Sequence, residues 1–208
     1  MGRLAQAEGK GSRRRYGVLV AVVGPSGAGK DTLMAGARAQ LAAESHVRFV
    51  RRVITRPAEA GGEDHQPVTE EAFRSLRDAG GFALWWQAHG LSYGIPAHVA
   101  PDIAAGIVVV ANLSRGVLQD AASRFPLLVL EITAPLEVRA ARLANRGREE
   151  AEDVARRLAR EAPLPRGLDA RRVVNDGEPE QGIAEVVRVL RQAVSTAAMA
   201  RLGEVAWR

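Results

Sequence analysis

"YGVLVAVVGPSGAGKDTL", residues 16–33, decides the fold. Its first half is an unbroken valine-rich run, as expected of a strand buried on both faces of a parallel sheet. Its second half is Gly24-x4-Gly29-Lys30, a glycine-rich turn between that strand and a predicted Ala/Leu-rich helix over 32–44. In this setting the glycines let backbone N–H groups turn onto phosphate oxygens, and the helix N-terminus adds its positive end. The spacing wraps Gly24, Pro25, Ser26, Gly27, Ala28, Gly29 and Lys30 around a nucleotide's phosphates, with Lys30 reaching the β and γ groups. One residue is out of pattern. Such a loop carries Ser or Thr directly after Lys, to touch Mg²⁺; here that position is Asp31, and the hydroxyl follows at Thr32. As a structural residue Asp31 complements the helix dipole by roughly 0.3–1 kcal/mol. As a functional one it repels a triphosphate unless a cation lies between, so the loop implies a metal-bound nucleotide, with Asp31 and Thr32 as competing Mg²⁺ ligands.

The bulk numbers narrow the partners. A chain of 208 residues, 47% hydrophobic and 25% charged, suits one well-cored domain. No apolar run reaches 18 residues, which argues against a membrane span. The absence of cysteine rules out disulfides and thiolate metal sites, and points to the cytoplasm. A net charge of +5 and a pI near 10.5 call for anionic partners. Arginines are spread along the chain and only 4% of residues are aromatic, so phosphorylated small molecules are expected rather than nucleic acid. The four His show no zinc-ligand spacing. Residues 1–15 read as a mobile basic tail.

Beyond the loop, strands are expected over 47–55, 106–113, 125–133 and 171–177. Helices are expected over 69–80, 135–147, 149–162 and 180–202. Alternation of this kind implies an α/β three-layer sandwich around a central parallel sheet. Residues 50–97 change character and read as a small inserted acceptor-binding lobe; 140–162 read as a helical lid, within one domain spanning 16–208.

"GPSGAGK" with "TL", then "ITRP", "WWQAHGLSYG", "RLANRGREEAEDVARRL" and "VVND", resembles the guanylate-kinase-like order of motifs over nearly the whole chain after the tail. Within that family, "GKD", "GGEDH", "FALWWQAHGLSYG" and "NRGRE" look most like the ribose 1,5-bisphosphate phosphokinases of phosphonate catabolism. The resemblance implies ATP as phosphoryl donor and ribose 1,5-bisphosphate as acceptor, giving ADP and 5-phosphoribosyl diphosphate. It places Arg56 and Tyr93 on acceptor phosphate, with His65 where the family has another phosphate-contacting Tyr. Arg146 and Arg157 match its lid arginines, with Arg142 and Arg148 nearby, and Asn175 and Asp176 stand where the family passes its adenine-binding backbone. Departures carry the specificity. Leu84 stands where guanylate kinases have a guanine-reading Glu, and Ile95 where they have a Ser; an unpaired purine edge costs about 1–3 kcal/mol per polar atom. A phosphate handle without a base reader suits a sugar phosphate. The alternatives are a nucleoside monophosphate kinase acting on GMP, and a non-catalytic interaction module of the same fold; such modules typically lose the loop that Gly29 and Lys30 keep here.

Overall fold

The computed structural model describes residues 17–60, 63–144 and 163–202. The expected strand after the tail forms as β1, Val18–Val23, with all six residues buried. It leads through the glycine loop into α1, Lys30–Gln40, whose N-cap is Gly29. Four further strands complete a five-stranded sheet: β2 (Val47–Phe49), β7 (Val108–Asn112), β8 (Leu127–Thr133) and β9 (Ala170–Val174). All pairings are parallel, in the order β2-β7-β1-β8-β9. The chain reverses its direction of winding at β1, and in open α/β sheets ligands bind outside the carboxyl ends of the strands at that switch point. The glycine loop leaves β1 there.

The expected strand 47–55 is two strands in two sheets. Val47–Phe49 pairs with β7, then Arg51 and Arg52 leave the ladder to meet Asp64 and Glu63. β3 (Val53–Ile54) resumes in a second sheet with β4 (Gln66–Pro67), β5 (Phe82–Ala88) and β6 (Leu91–Pro96), in the order β4-β3-β6-β5. β5 and β6 form a hairpin closed by His89 and Gly90, whose φ values of +54° and +71° suit a two-residue turn. The last strand stops at Val174, short of the expected 177, because Asn175 turns toward the glycine loop.

Helices α2 (Glu70–Asp78), α3 (Val99–Ala104), α4 (Leu118–Arg124), α5 (Leu136–Ala144) and α6 (Pro179–Leu202) flank the sheets. The Thr69 hydroxyl caps α2 by accepting from the Ala72 N–H at 3.1 Å. β1 is apolar throughout because each of its faces feeds a core. Val18, Val20 and Val22 pack with Leu33 of α1 and Leu190 of α6. Leu19, Ala21 and Val23 pack with Val99, Leu118 and, from the second sheet, Leu84, Trp86 and Ile95. Residues 50–97, expected as an acceptor-binding lobe, thus share a core with the main sheet. The expected tail (1–15), helix 149–162 and all of the expected lid past residue 144 lie outside the described residues. Among the described residues no helix is long and apolar enough to cross a membrane.

Candidate active site

The glycine loop is held from within and from without. Inside it, the Lys30 ammonium donates to the Gly24 and Pro25 carbonyls at 2.8 and 3.1 Å. Burial pushes the Lys30 pKa down to about 8; Asp31 and Glu63 oppose that shift, while Arg52 and Arg115 add to it. Those neighbours outline a charged cleft around the lysine. Outside the loop, the Arg139 Nε–H donates to the Ser26 carbonyl at 3.2 Å, and the Asn175 amide donates to the Ala28 carbonyl at 2.8 Å. Gly27 and Gly29 both adopt φ near +80° in places with no room for a side chain. A Cβ would stand 2.8 Å from the Arg139 carbonyl oxygen at the first, and 2.3 Å from the Asn175 amide nitrogen at the second.

Asp31, in the first turn of α1, faces a cleft of about 160 Å³ with Met34, Arg38, Val50, Glu63 and Asn112. Thr32 is exposed and does not line that cleft. Mg²⁺ is ordinarily held by one or two carboxylates together with a nucleotide's own phosphates. Asp31 offers such an oxygen beside Lys30, so the residues present fit that ion. Among the described residues no three His, Asp or Glu side chains gather into a protein-only metal cage.

On the acceptor side the polar contacts run between segments distant in sequence. Glu63 accepts from the Arg52 Nε–H at 2.7 Å with one oxygen, and from the Asn112 amide at 3.0 Å with the other. The Arg52 guanidinium also lies over the Tyr93 ring at 4.9 Å and the Trp86 ring at 5.7 Å, and those rings stack 5.3 Å apart. Arg56 and His65 are brought together. An Arg56 Nη lies 3.3 Å from His65 Nδ1, while the two His65 nitrogens approach the Glu63 and Arg56 carbonyls at 3.0 Å each. The Arg56 Nε is buried without a hydrogen-bond partner. Beyond β7, Arg115 donates to Glu131 at 3.1 Å, and Arg172 donates to the other oxygen of the same carboxylate at 2.8 Å.

Several expectations change. Leu84, expected as an acceptor-binding residue, is 1% exposed and faces Ile95 across the β5–β6 hairpin inside the second core, so it seals the lobe and touches no ligand space. Asn175, expected at the adenine through its backbone, is 5% exposed with its side chain against the glycine loop; Asp176 is exposed. Arg146, Arg148 and Arg157 lie outside the described residues, whereas Arg142 donates to the Asn175 carbonyl at 2.9 Å. Glu63, Glu131 and Arg139 were missed. A buried charge in a run such as "LLVLEIT" is a signal that could have flagged Glu131.

No family model matches the chain. Curated relatives do. Ribose 1,5-bisphosphate phosphokinase PhnN of Pseudofrankia inefficax is 51% identical over 179 residues, covering 85% of this chain and 92% of that protein. The protein of the same name from Rhizobium etli is 47% identical over 184 residues, covering 88% and 92%. Among solved structures, guanylate kinase from Anaplasma phagocytophilum superposes with a TM-score of 0.60 at 18% identity, covering 86% of this chain and 87% of that one. That likeness shows the fold alone, a guanylate-kinase-like phosphate-loop architecture.

Proposed function

The chain belongs to the family of ribose 1,5-bisphosphate phosphokinases, and from that membership we propose that it transfers the γ-phosphoryl group of ATP to the 1-phosphate of ribose 1,5-bisphosphate. The observation that carries this reading is identity of about half the residues over nearly the full length of relatives bearing that name. The physical chemistry agrees with it. The cationic side chains Arg52 and Arg56 crowd the acceptor side, as a phosphorylated acceptor requires.

A 1-phosphate oxygen, already ionised at neutral pH, attacks the γ phosphorus; the bond to the β–γ bridging oxygen breaks, and ADP leaves with that oxygen's charge. No strong base is required, so catalysis rests on alignment and on neutralising charge around the transferring group. The glycine loop's N–H groups hold the triphosphate, and Lys30 exchanges the Gly24 and Pro25 carbonyls for phosphate oxygens. Asp31 would hold Mg²⁺, which neutralises phosphate charge when bound. Arg56, set beside His65, would offer its guanidinium charge to an acceptor phosphate. Tyr93 shapes the same side through its stack with Trp86 and Arg52. Arg146 and Arg157, matching the family's lid arginines in sequence, would add positive charge for the nucleotide.

The deciding measurement is ADP release from Mg-ATP with ribose 1,5-bisphosphate or with GMP, alongside direct detection of 5-phosphoribosyl diphosphate. At least a hundredfold preference in kcat/KM for the sugar bisphosphate is expected. Preferred turnover of GMP would overturn the acceptor assignment, and no ATP binding at all would favour a non-catalytic module.

A further inference from the structure

We propose that Asn175 is a positioning residue for the phosphate loop: its side-chain amide holds the Ala28 carbonyl outward and thereby aims the Gly29 N–H at the triphosphate. The argument starts from peptide geometry. In a planar trans peptide the C=O of one residue and the N–H of the next point in opposite directions. Drawing the Ala28 oxygen to Asn175 at 2.8 Å therefore turns the Gly29 N–H toward the other side of the chain, the inside of the loop. The Arg139 bond to the Ser26 carbonyl does the same for the Gly27 N–H. Two donors of the loop are thereby set by two side chains, each acting on a loop carbonyl.

The contact has a forced orientation. A carbonyl oxygen only accepts, so the nitrogen of the Asn175 amide must face Ala28. That leaves Oδ1 buried without a hydrogen-bond partner, an arrangement tolerated only if the other end of the amide matters more. The fit is also tight: the same nitrogen occupies the space that a Gly29 side chain would fill, and a Cβ at Gly182 of α6 would stand 3.3 Å from Oδ1. Backbone contacts lock the residue in place. Its N–H donates to the Thr133 carbonyl at 2.7 Å, and its own carbonyl accepts from Arg142 of α5 at 2.9 Å. Asn175, just past the end of β9, thus links the end of β8, the last turn of α5 and the phosphate loop into one unit.

The probe is inorganic tripolyphosphate with Mg²⁺, which has phosphates but no adenine, compared with Mg-ATP by titration calorimetry on the full chain. In Asn175→Ala both affinities should fall by the same factor, roughly tenfold for one lost hydrogen bond and an orphaned carbonyl. In the isosteric Asn175→Asp, which puts a carboxylate oxygen against the Ala28 carbonyl, the loss should be larger for both probes. A merely structural role lowers the unfolding midpoint but leaves affinity intact well below it, so each variant's midpoint is recorded. Tripolyphosphate affinity within twofold of wild type, with ATP affinity reduced or not, overturns the proposal. If Asn175→Ala does not fold, Asn175→Asp carries the same comparison. Wild-type protein that binds neither probe overturns the phosphate-loop reading and this inference with it.

Discussion

The donor and acceptor sides of the cleft are built on opposite principles. Around the glycine loop the groups proposed to meet ligand are backbone N–H donors, and the side chains Arg139 and Asn175 each hold a loop carbonyl. Around residues 50–97 the groups proposed to meet ligand are side chains, held by other side chains: Arg52 by Glu63, Tyr93 and Trp86, and Arg56 by His65. A backbone site is insensitive to side-chain identity except where glycine is compulsory, so it changes little as acceptors change. A side-chain site is rewritten one residue at a time, and the fold can then serve a different acceptor without touching its donor half.

The harshest way to test the donor half is to remove the ammonium at its centre. Lys30→Met should reduce phosphoryl transfer by about a thousandfold, roughly 4 kcal/mol of transition-state stabilisation, while the chain stays folded. The same lysine sets a pH dependence. Its ammonium, whose pKa burial lowers to about 8, must be charged to attract phosphate. ATP affinity of the wild type should therefore fall as pH rises through about 8, and that fall should vanish in Lys30→Met. The linkage sign follows from the lowered value. Between about 8 and the ordinary 10.5 the unfolded chain binds more protons, so this group makes the fold more stable as pH rises through that window. Wild-type turnover in Lys30→Met, measured by ADP release, would remove Lys30 from the donor site.

On the acceptor side the informative change is Leu84→Glu, the substitution that would restore a guanine reader if the position lined the pocket. At 1% exposure, facing Ile95 at 0%, a carboxylate there is buried among hydrocarbon without a partner. The expected result is a loss of roughly 3 kcal/mol, a drop of about 10 °C in the unfolding midpoint for a chain of this size, and no gain of GMP turnover. A stable variant that phosphorylates GMP would show that Leu84 faces ligand.

The same contrast explains what the sequence discloses. β1, the glycine loop and α1 are legible because valine runs, compulsory glycines and a lysine at fixed spacing are local signals, each with one physical cause. The split of 47–55 into two sheets was not legible: nothing local says that Arg52 leaves the ladder to pair with Glu63, eleven residues on. The β5–β6 hairpin hid its turn in His89-Gly90, because a non-glycine residue at φ +54° is uncommon. Leu84 is expected at the acceptor because it stands where guanylate kinases have a guanine-reading Glu, whereas strand alternation turns it into the core with Leu19 and Val99 and leaves Trp85 outside at 45% exposure. Family likeness placed Asn175 beside the nucleotide; only its partner, 147 residues away, says what its side chain does.

The smallest effect separates two adjacent residues. Asp31 lines the cleft beside Lys30, and Thr32, one position on, is exposed outside it. A helix turns about 100° per residue, so the two side chains cannot share a ligand on one face. Asp31→Asn keeps shape and loses charge; it should weaken the Mg²⁺ dependence of transfer about tenfold, read as the Mg²⁺ concentration at half-maximal rate. Thr32→Val keeps shape and loses the hydroxyl, and should change that midpoint less than twofold. The reverse pattern would return the metal to the hydroxyl and make the aspartate a helix-end charge worth roughly 0.3–1 kcal/mol. In that case the donor half, like the acceptor half, would owe part of its chemistry to a side chain whose direction the sequence does not disclose.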